Sequence, residues 1–467
     1  MKTTLETIAH WAAEVPEDWP DSCIEPALHG ITDTVGCMVS GAADEAAVGV
    51  RRTIDGWSSA GGPASIIGSA TTAPTPFAAF ANGTAAHAQD FDDNFLAALT
   101  HASAVLVPAI LALAEETGAS GKEIVDAYLV GLEAHAAIGR GVNRSHYLKG
   151  WHATATVGCI GTAAACGRLL GLDAPRMTHA MSLGVSMAAG LKGQFGSHAK
   201  PFQAGMAAQN AVLAACFARD GVEGRAEVLD NDYGFLKVFG GDAPPGWDFD
   251  TFPLGDSQGG PAHVIETVGL APKCHPCCGS THKSIDNLLD LKRQHGFAPD
   301  DVASMHTRVN TTNVRNLVFD NPQDEMEARF SMQYCMAVAL QSGFLSLSDF
   351  TPEAVGRPEI RALIPLTTMS ATPPELELDP AGAFEHELTV TLKNGDVLKT
   401  TRSAARGTLG DPFTDDDRWR KFEDCCQAAL GKKTARDVYR ELGELPSMTD
   451  IKNLMKIVAA PAGDLAA

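Results

Sequence analysis

The chain has 467 residues, and 36 Lys and Arg stand against 57 Asp and Glu, a formal net charge of −21. A surface this acidic lacks the counterion-releasing basic patches that DNA, RNA or anionic lipid require, so none of these is an expected partner. Hydrophobic residues at 45% and charged residues at 20% exclude a disordered tail, and aromatics at only 6% favour closely packed helices over a β-sandwich.

Met1 to Ala13 mixes Lys2, Glu6 and His10 into its apolar residues, which is not the apolar run of a signal peptide. Ser22-Cys23-Ile24-Glu25 has capping-box spacing, and Ile24, Leu28, Ile31, Val35 and Met38 then recur on one helical face. The apolar window Ala102 to Ala114 is too short to span a membrane and contains Pro108. Ser120 and Glu123 repeat the capping-box signature ahead of Ile124, Tyr128 and Leu132. Gly150 to Leu172, dense in Gly, Ala and Thr, reads as a helix whose small side chains permit close helix contact, and it carries Arg168. Asp173, with Pro175 soon after, opens another helix toward Leu191, and Gln203 to Ala218 reads as a further buried helix.

The pattern changes near Pro244, where Gly, Pro and Asp accumulate through Gly260. After Cys278 a helix containing Ile285, Leu288 and Leu289 closes near Gly296. Val302 to Val309 is strand-like and Glu325 to Leu340 helical. Leu388, Val390 and Leu392 alternate with Thr389 and Thr391 ahead of Asn394-Gly395, which predicts a hairpin closed by a type I′ turn. Past Asp411-Pro412 the chain is helical again through Leu430. The expected fold class is mainly α: a large helical domain over residues 1–260, a smaller α/β domain over 261–402, and a return to helix over 403–467. Eleven cysteines, an odd count with no export signal, read as reduced thiols in the cytoplasm.

Four stretches concentrate polar residues in apolar surroundings. In His87-Ala88-Gln89-Asp90-Phe91-Asp92-Asp93-Asn94, followed by Thr100-His101-Ala102-Ser103, the three carboxylates could hold a divalent cation. The ordinary alternative, favoured on these residues alone, is a capping cluster ahead of the helix begun near Ser103. His152, in Gly150-Trp151-His152, could serve as a general base or an anion ligand, or be a satisfied structural histidine. Lys200, in Ala199-Lys200-Pro201-Phe202-Gln203, would hold its ammonium near a helix N-terminus that favours a carboxylate, or be an ordinary loop lysine. Lys273-Cys274-His275-Pro276-Cys277-Cys278 contains a C-x-x-C with His282 nearby, which raises zinc or an iron–sulfur cluster, but no second ligand pair has suitable spacing. Phosphate-loop, dinucleotide-binding and nucleophile-elbow signatures are all missing.

Taken in order, Ala-Ala-His-Ala-Gln-Asp-Phe-Asp-Asp with Thr-His-Ala-Ser, Gly-Trp-His-Ala-Thr-Ala-Thr, Ala-Lys-Pro-Phe-Gln-Ala-Gly and Lys-Cys-His-Pro-Cys-Cys resemble the MmgE/PrpD family of 2-methylcitrate dehydratase, cis-aconitate decarboxylase and iminodisuccinate epimerase. The resemblance implies a helical domain built from both ends of the chain, a smaller α/β lid domain, a homodimer, and an interdomain active site that uses no metal and no organic cofactor. It further implies catalytic roles for Asp90, His101, His152 and Lys200, with Asn94, Gln203, Lys273 and Cys278 binding substrate. Three positions depart from the usual pattern: Asn94 replaces a hydroxyl, Gln203 stands where many relatives have His, and Ala102 replaces Pro. Cys278 sits where the decarboxylase has a functional His and many bacterial relatives have Cys, which puts cis-aconitate itself in doubt as substrate. The expected function is cofactor-independent proton transfer next to a carboxylate of a small di- or tricarboxylate, by a lyase of dehydratase or decarboxylase type. An epimerase of an amino- or iminodicarboxylate is the alternative, and a binding protein without turnover the third reading.

Overall fold

The computed structural model describes residues 2–58, 60–256, 258–373 and 385–459. The chain forms two compact units, the first from Met1–Ala88, Asp92–Ala271 and Asp416–Ala467, the second from Gln89–Phe91 and Pro272–Asp415. The fold is mainly α, with a small α/β part.

Among the described residues, ten α-helices occupy the first unit up to residue 219: α1 Thr4–Glu14, α2 Asp21–Gly41, α3 Glu45–Trp57, α4 Thr75–Ala88, α5 Ala102–Thr117, α6 Gly121–Val142, α7 Ser145–Lys149, α8 Ala153–Leu169, α9 Ala174–Met187 and α10 Ala199–Arg219. Two-residue strands β1 Ala64–Ser65 and β2 Thr72–Ala73 pair antiparallel between α3 and α4. The core of α4, α5, α8 and α10 is made largely of buried Ala, with Val105, Leu113, Cys159, Cys166 and Val212 among them. Such small side chains stabilise by letting helices approach until their backbones touch, rather than by bulk. Gly205 of α10 faces Gly83 of α4 so closely that a Cβ on Gly83 would lie 2.9 Å from the Gly205 Cα. The expected Gly/Ala/Thr-rich helix is α8, nearly every residue of it buried. Its Arg168 is held by Asp126 (2.6 Å) and by the carbonyls of Ala13 and Val15.

The helix Asp415–Leu430 returns to α2, where Lys421 pairs with Asp33 at 2.7 Å and Gly36 leaves room for Phe422. The Ser120–Glu123 capping box forms reciprocally at the start of α6. That expected at Ser22 does not form. Pro20 is the N-cap of α2 without a side-chain bond, and the Ser22 hydroxyl donates instead to Glu266 at 2.6 Å. Ser22 is the second residue of the helix itself, and a residue with helical backbone does not place its side-chain oxygen over the N–H groups that follow it, as a non-helical N-cap does.

In the second unit the strand β3 Val302–Val309 lies centrally, parallel to β4 Thr367–Ala371 and antiparallel to β5 His386–Leu392, which pairs with β6 Val397–Arg402. The helices Gly279–His295 and Met332–Ser342 contribute Ile285, Leu288, Met336 and Leu340 to one core with Val302, Met305, Leu388 and Val390 of the sheet. The expected helix over 325–340 is two pieces, Glu325–Arg329 and Met332–Ser342, because the Ser331 side chain caps the second by accepting from the Tyr334 N–H. The hairpin forms as expected, but not on a type I′ turn. Gly395 takes a left-handed φ of +97° while Asn394 does not, and the Gly395 N–H donates to the Leu392 carbonyl.

Candidate active site

Three polar residues of the first unit sit at helix N-termini. His101 is the N-cap of α5, His152 the N-cap of α8, and Lys200 lies in the first turn of α10. Backbone N–H groups at such ends have no partner within the helix, and with the macrodipole they favour negative charge. The His101 N–H donates to Thr154 Oγ1 of α8 at 3.0 Å, tying two of these ends together, and the His152 N–H donates to the Gly190 carbonyl at 3.1 Å.

His152 is buried, and its Nδ1 lies 2.7 Å from Gln203 Oε1. The Gln203 amide nitrogen donates to the Leu191 carbonyl at 3.3 Å, which orients the amide with its oxygen toward the imidazole. His152 therefore donates from Nδ1, and its lone pair is on Nε2, a buried atom with no hydrogen-bond partner. Burial, followed by the charges of His87 and Lys200, pushes His152 well below the usual imidazole range. The ring is thus a neutral base at physiological pH. Phe195 meets it edge to face at 5.0 Å, and the Lys200 ammonium lies 5.5 Å from the Phe195 ring.

Beside it stands His87, the last-turn residue of α4, its ring 5.8 Å from His152 and 4.5 Å from His101. His87 Nδ1 lies 2.8 Å from Asp92 Oδ2, and His101 Nδ1 lies 3.2 Å from the same oxygen and 2.8 Å from the Asp93 carbonyl. Burial alone would raise the Asp92 carboxyl, but His87 and His101, by charge and hydrogen bond, hold it well below the usual range. Burial pushes His87 down to about 4 against the pull of Asp92.

The acidic run is not the capping cluster expected from its position. His101, the N-cap of α5, makes no side-chain capping bond. Asp92 serves two imidazoles, and Asp93 accepts from the Ser103 hydroxyl, which in turn accepts from Tyr128 at 2.7 Å. Burial pushes the Asp93 carboxyl up to about 7. Asn94 is half-buried and exchanges backbone bonds with Ala271 at 2.9 Å.

Asp90, Lys273 and Cys278 belong to the second unit. Lys273 donates to both the Asp90 carbonyl (2.8 Å) and its carboxylate (2.9 Å), forming a buried ion pair. Asp90 holds a left-handed φ of +52°, which a short polar side chain tolerates better than most. Cys278 is the N-cap of the helix Gly279–His295, and burial, then the Asp90 charge, raises its thiol above the ordinary value.

The Cys274–Cys277 motif does not assemble a ligand set among the described residues. Instead His275 pairs with Asp286 at 3.0 Å, and Cys277 contacts Thr281 at 3.1 Å. His87, Asp92 and His101 have the residue types and proximity to hold a metal ion. In the metal-free arrangement two ring N–H groups meet one carboxylate oxygen. Sequence reasoning passed over His87 and Asp92 as site residues. The only signal was their presence in the first polar stretch, since nothing in a five-residue spacing across a helix end announces a contact.

A model of the MmgE/PrpD N-terminal domain matches residues 6–248, and one of the MmgE/PrpD C-terminal domain matches residues 275–442. The chain belongs to the MmgE/PrpD family. This family member is 26% identical over 404 residues to cis-aconitate decarboxylase of Mus musculus, covering 83% of this chain and 79% of the relative. It is 27% identical over 399 residues to that of Homo sapiens, covering 83% and 80%. Against cis-aconitate decarboxylase of Aspergillus terreus it is 25% identical over 486 residues, covering 97% and 95%. Among the described residues no helix is long and apolar enough to cross a membrane.

Proposed function

We propose that this chain is a lyase of decarboxylase or dehydratase type, acting on a small di- or tricarboxylate by proton transfer at a carbon next to a carboxylate. Family membership and the decarboxylase relatives support the reaction class. The observation that carries the site is His152: a buried neutral imidazole, oriented through Nδ1 by Gln203, with its basic Nε2 without a partner.

Removing a proton, or carbon dioxide, from such a substrate leaves an electron pair delocalised into the adjacent carboxylate as an enediolate. The chemistry needs a positioned base or acid and preorganised positive charge. His152 Nε2 moves the carbon-bound proton, and His101 is its partner. Lys200, in the first turn of α10, holds a substrate carboxylate and stabilises the enediolate. Asp90 and Lys273 neutralise each other in their own unit, which favours histidine over Asp90 as the proton carrier. Asn94 and Cys278 are proposed substrate contacts, whereas Gln203 acts on the reaction through His152.

Proton NMR in D₂O with cis-aconitate, citrate, 2-methylcitrate and iminodisuccinate tests the reading. A new alkene signal or released carbon dioxide identifies the lyase and its type. Deuterium entering next to a carboxylate without loss of substrate would instead indicate the epimerase, which two neighbouring imidazoles could also serve, or a reversible lyase stalled at its first step, and inversion at the exchanged carbon separates the two. Turnover of the active substrate should fall about 10²- to 10⁴-fold in His152→Asn with the fold intact. Full activity in that variant would remove His152 from the mechanism.

The homodimer is also proposed. Phe202 and Phe217 on α10 are 42% and 43% exposed, apolar surface that a second copy would cover. Light scattering on the purified protein should give twice the chain mass.

A further inference from the structure

We propose that Asp92 is the residue that sets the tautomer of His101, with His87 as a second ring on the same carboxylate. The proposal deepens the reading above and rests on His101 as a proton-transfer group.

The geometry is specific. One oxygen, Asp92 Oδ2, lies 2.8 Å from His87 Nδ1 and 3.2 Å from His101 Nδ1, and the Asp93 carbonyl lies 2.8 Å from His101 Nδ1. Both acceptors facing His101 Nδ1 are oxygens without a proton to give, so this nitrogen must be the N–H. In the neutral ring the lone pair is then on Nε2, as in His152, whose Nδ1–H is held by Gln203. The three rings consequently share one tautomer, enforced by three different acceptors.

Asp92 is fully buried, and its other oxygen, Oδ1, has no partner. A carboxylate is costly to bury with one oxygen unbonded unless a nearby group requires its charge. Two N–H donors converging on Oδ2 are that requirement. His87 Nε2 is likewise buried without a partner, and the His87 ring stands 4.5 Å from His101 and 5.8 Å from His152. His87 thus braces the orientation of both rings while using Asp92 itself. Asp92 is a positioning residue, because it acts through His101.

The test uses the full chain labelled with ¹⁵N-histidine, and long-range ¹H–¹⁵N spectra that distinguish protonated from bare ring nitrogens. His87→Gln and His101→Gln variants assign the signals. Wild-type His87 and His101 should each show a protonated Nδ1 and a bare Nε2. Asp92→Asn is no test, because its amide oxygen can take the place of Oδ2 with the NH₂ on the unpartnered side. In the near-isosteric Asp92→Leu the shared acceptor is gone, His101 Nδ1 keeps only the Asp93 carbonyl, and His101 should lose its single-tautomer pattern. With the substrate found above, kcat should fall about 10²- to 10⁴-fold with KM little changed, and Asp92→Glu should recover part of the loss.

Wild-type His101 carrying its proton on Nε2 would overturn the proposal, and so would Asp92→Leu with an unchanged His101 pattern or an unchanged kcat. Should Asp92→Leu not fold, the wild-type spectrum and Asp92→Glu still decide the matter. If no carboxylate is turned over, the lyase reading fails while the tautomer result stands by itself.

Discussion

At the residue scale, the candidate site depends on which atom of each polar side chain is already engaged. His152 and His87 are both buried imidazoles, yet one is held by an amide and the other by a carboxylate. Asp93 shows the same dependence in its ionisation. Burial raises its carboxyl to about 7, whereas the unfolded chain would titrate near the ordinary 3.8. Between those values the folded state holds the extra proton, so Asp93 progressively costs stability as pH rises from about 4 to 7 and costs most above it. Asp93→Asn should therefore gain stability over the wild type through that window, by up to about 4 kcal/mol, and then keep a constant advantage. Urea unfolding at pH 5, 7 and 8.5 measures it, and an advantage independent of pH would contradict the shifted carboxyl.

At the element scale, local signals succeeded where the marked residue stands at the helix boundary itself. Ser120 and Glu123 cap α6 reciprocally because Ser120 is the N-cap, with extended backbone at φ −73° and ψ 160° that turns its hydroxyl toward the Glu123 N–H. Ser22, in the same spacing, gives its hydroxyl to Glu266. Ser120→Ala should accordingly cost about 1 kcal/mol of stability, the usual worth of an N-cap. Ser22→Ala should cost less, since it breaks only an exposed bond. Thermal unfolding of the two variants side by side checks the order. The strand Val302–Val309 and the helix closed by Gly296 appear where alternation and the glycine placed them. The hairpin turn differs from expectation because Gly395 alone supplies the positive φ that the reversal needs.

For the molecule as a whole, buried neutral histidines set the acid limit. Burial pushes His135 and His386 down to about 3, and His87 and His146 to about 4. In the unfolded chain each would take a proton near pH 6.5. The folded state, holding lower values, resists, so stability falls as pH drops below 6.5 and the decline ends only below the folded values. Each histidine contributes a slope of up to about 1.4 kcal/mol per pH unit in that window. The melting temperature should thus decrease steeply from pH 6.5 to 4, and replacing His135 with Gln should flatten the decline. A melting temperature unchanged over that range would show these rings protonated when folded.

Much of the helical architecture was legible in the sequence, because burial period, small-residue runs and caps act over a few residues. The same holds for where three residues of the proposed site lie: His101, His152 and Lys200 stood out as polar groups at the heads of apolar helices, and the helices begin there. Four short motifs in order also marked the family. Tertiary structure alone decided the partners. Gln203 is 51 residues from His152, and nothing local says that its amide oxygen faces that imidazole rather than a substrate. Asp92 could as well have capped α5, and Lys273 could have held a carboxylate ligand instead of Asp90. Hydrogen bonds between distant side chains depend on where whole helices come to rest, and a buried imidazole takes its tautomer and its basicity from whichever acceptor that packing brings to it.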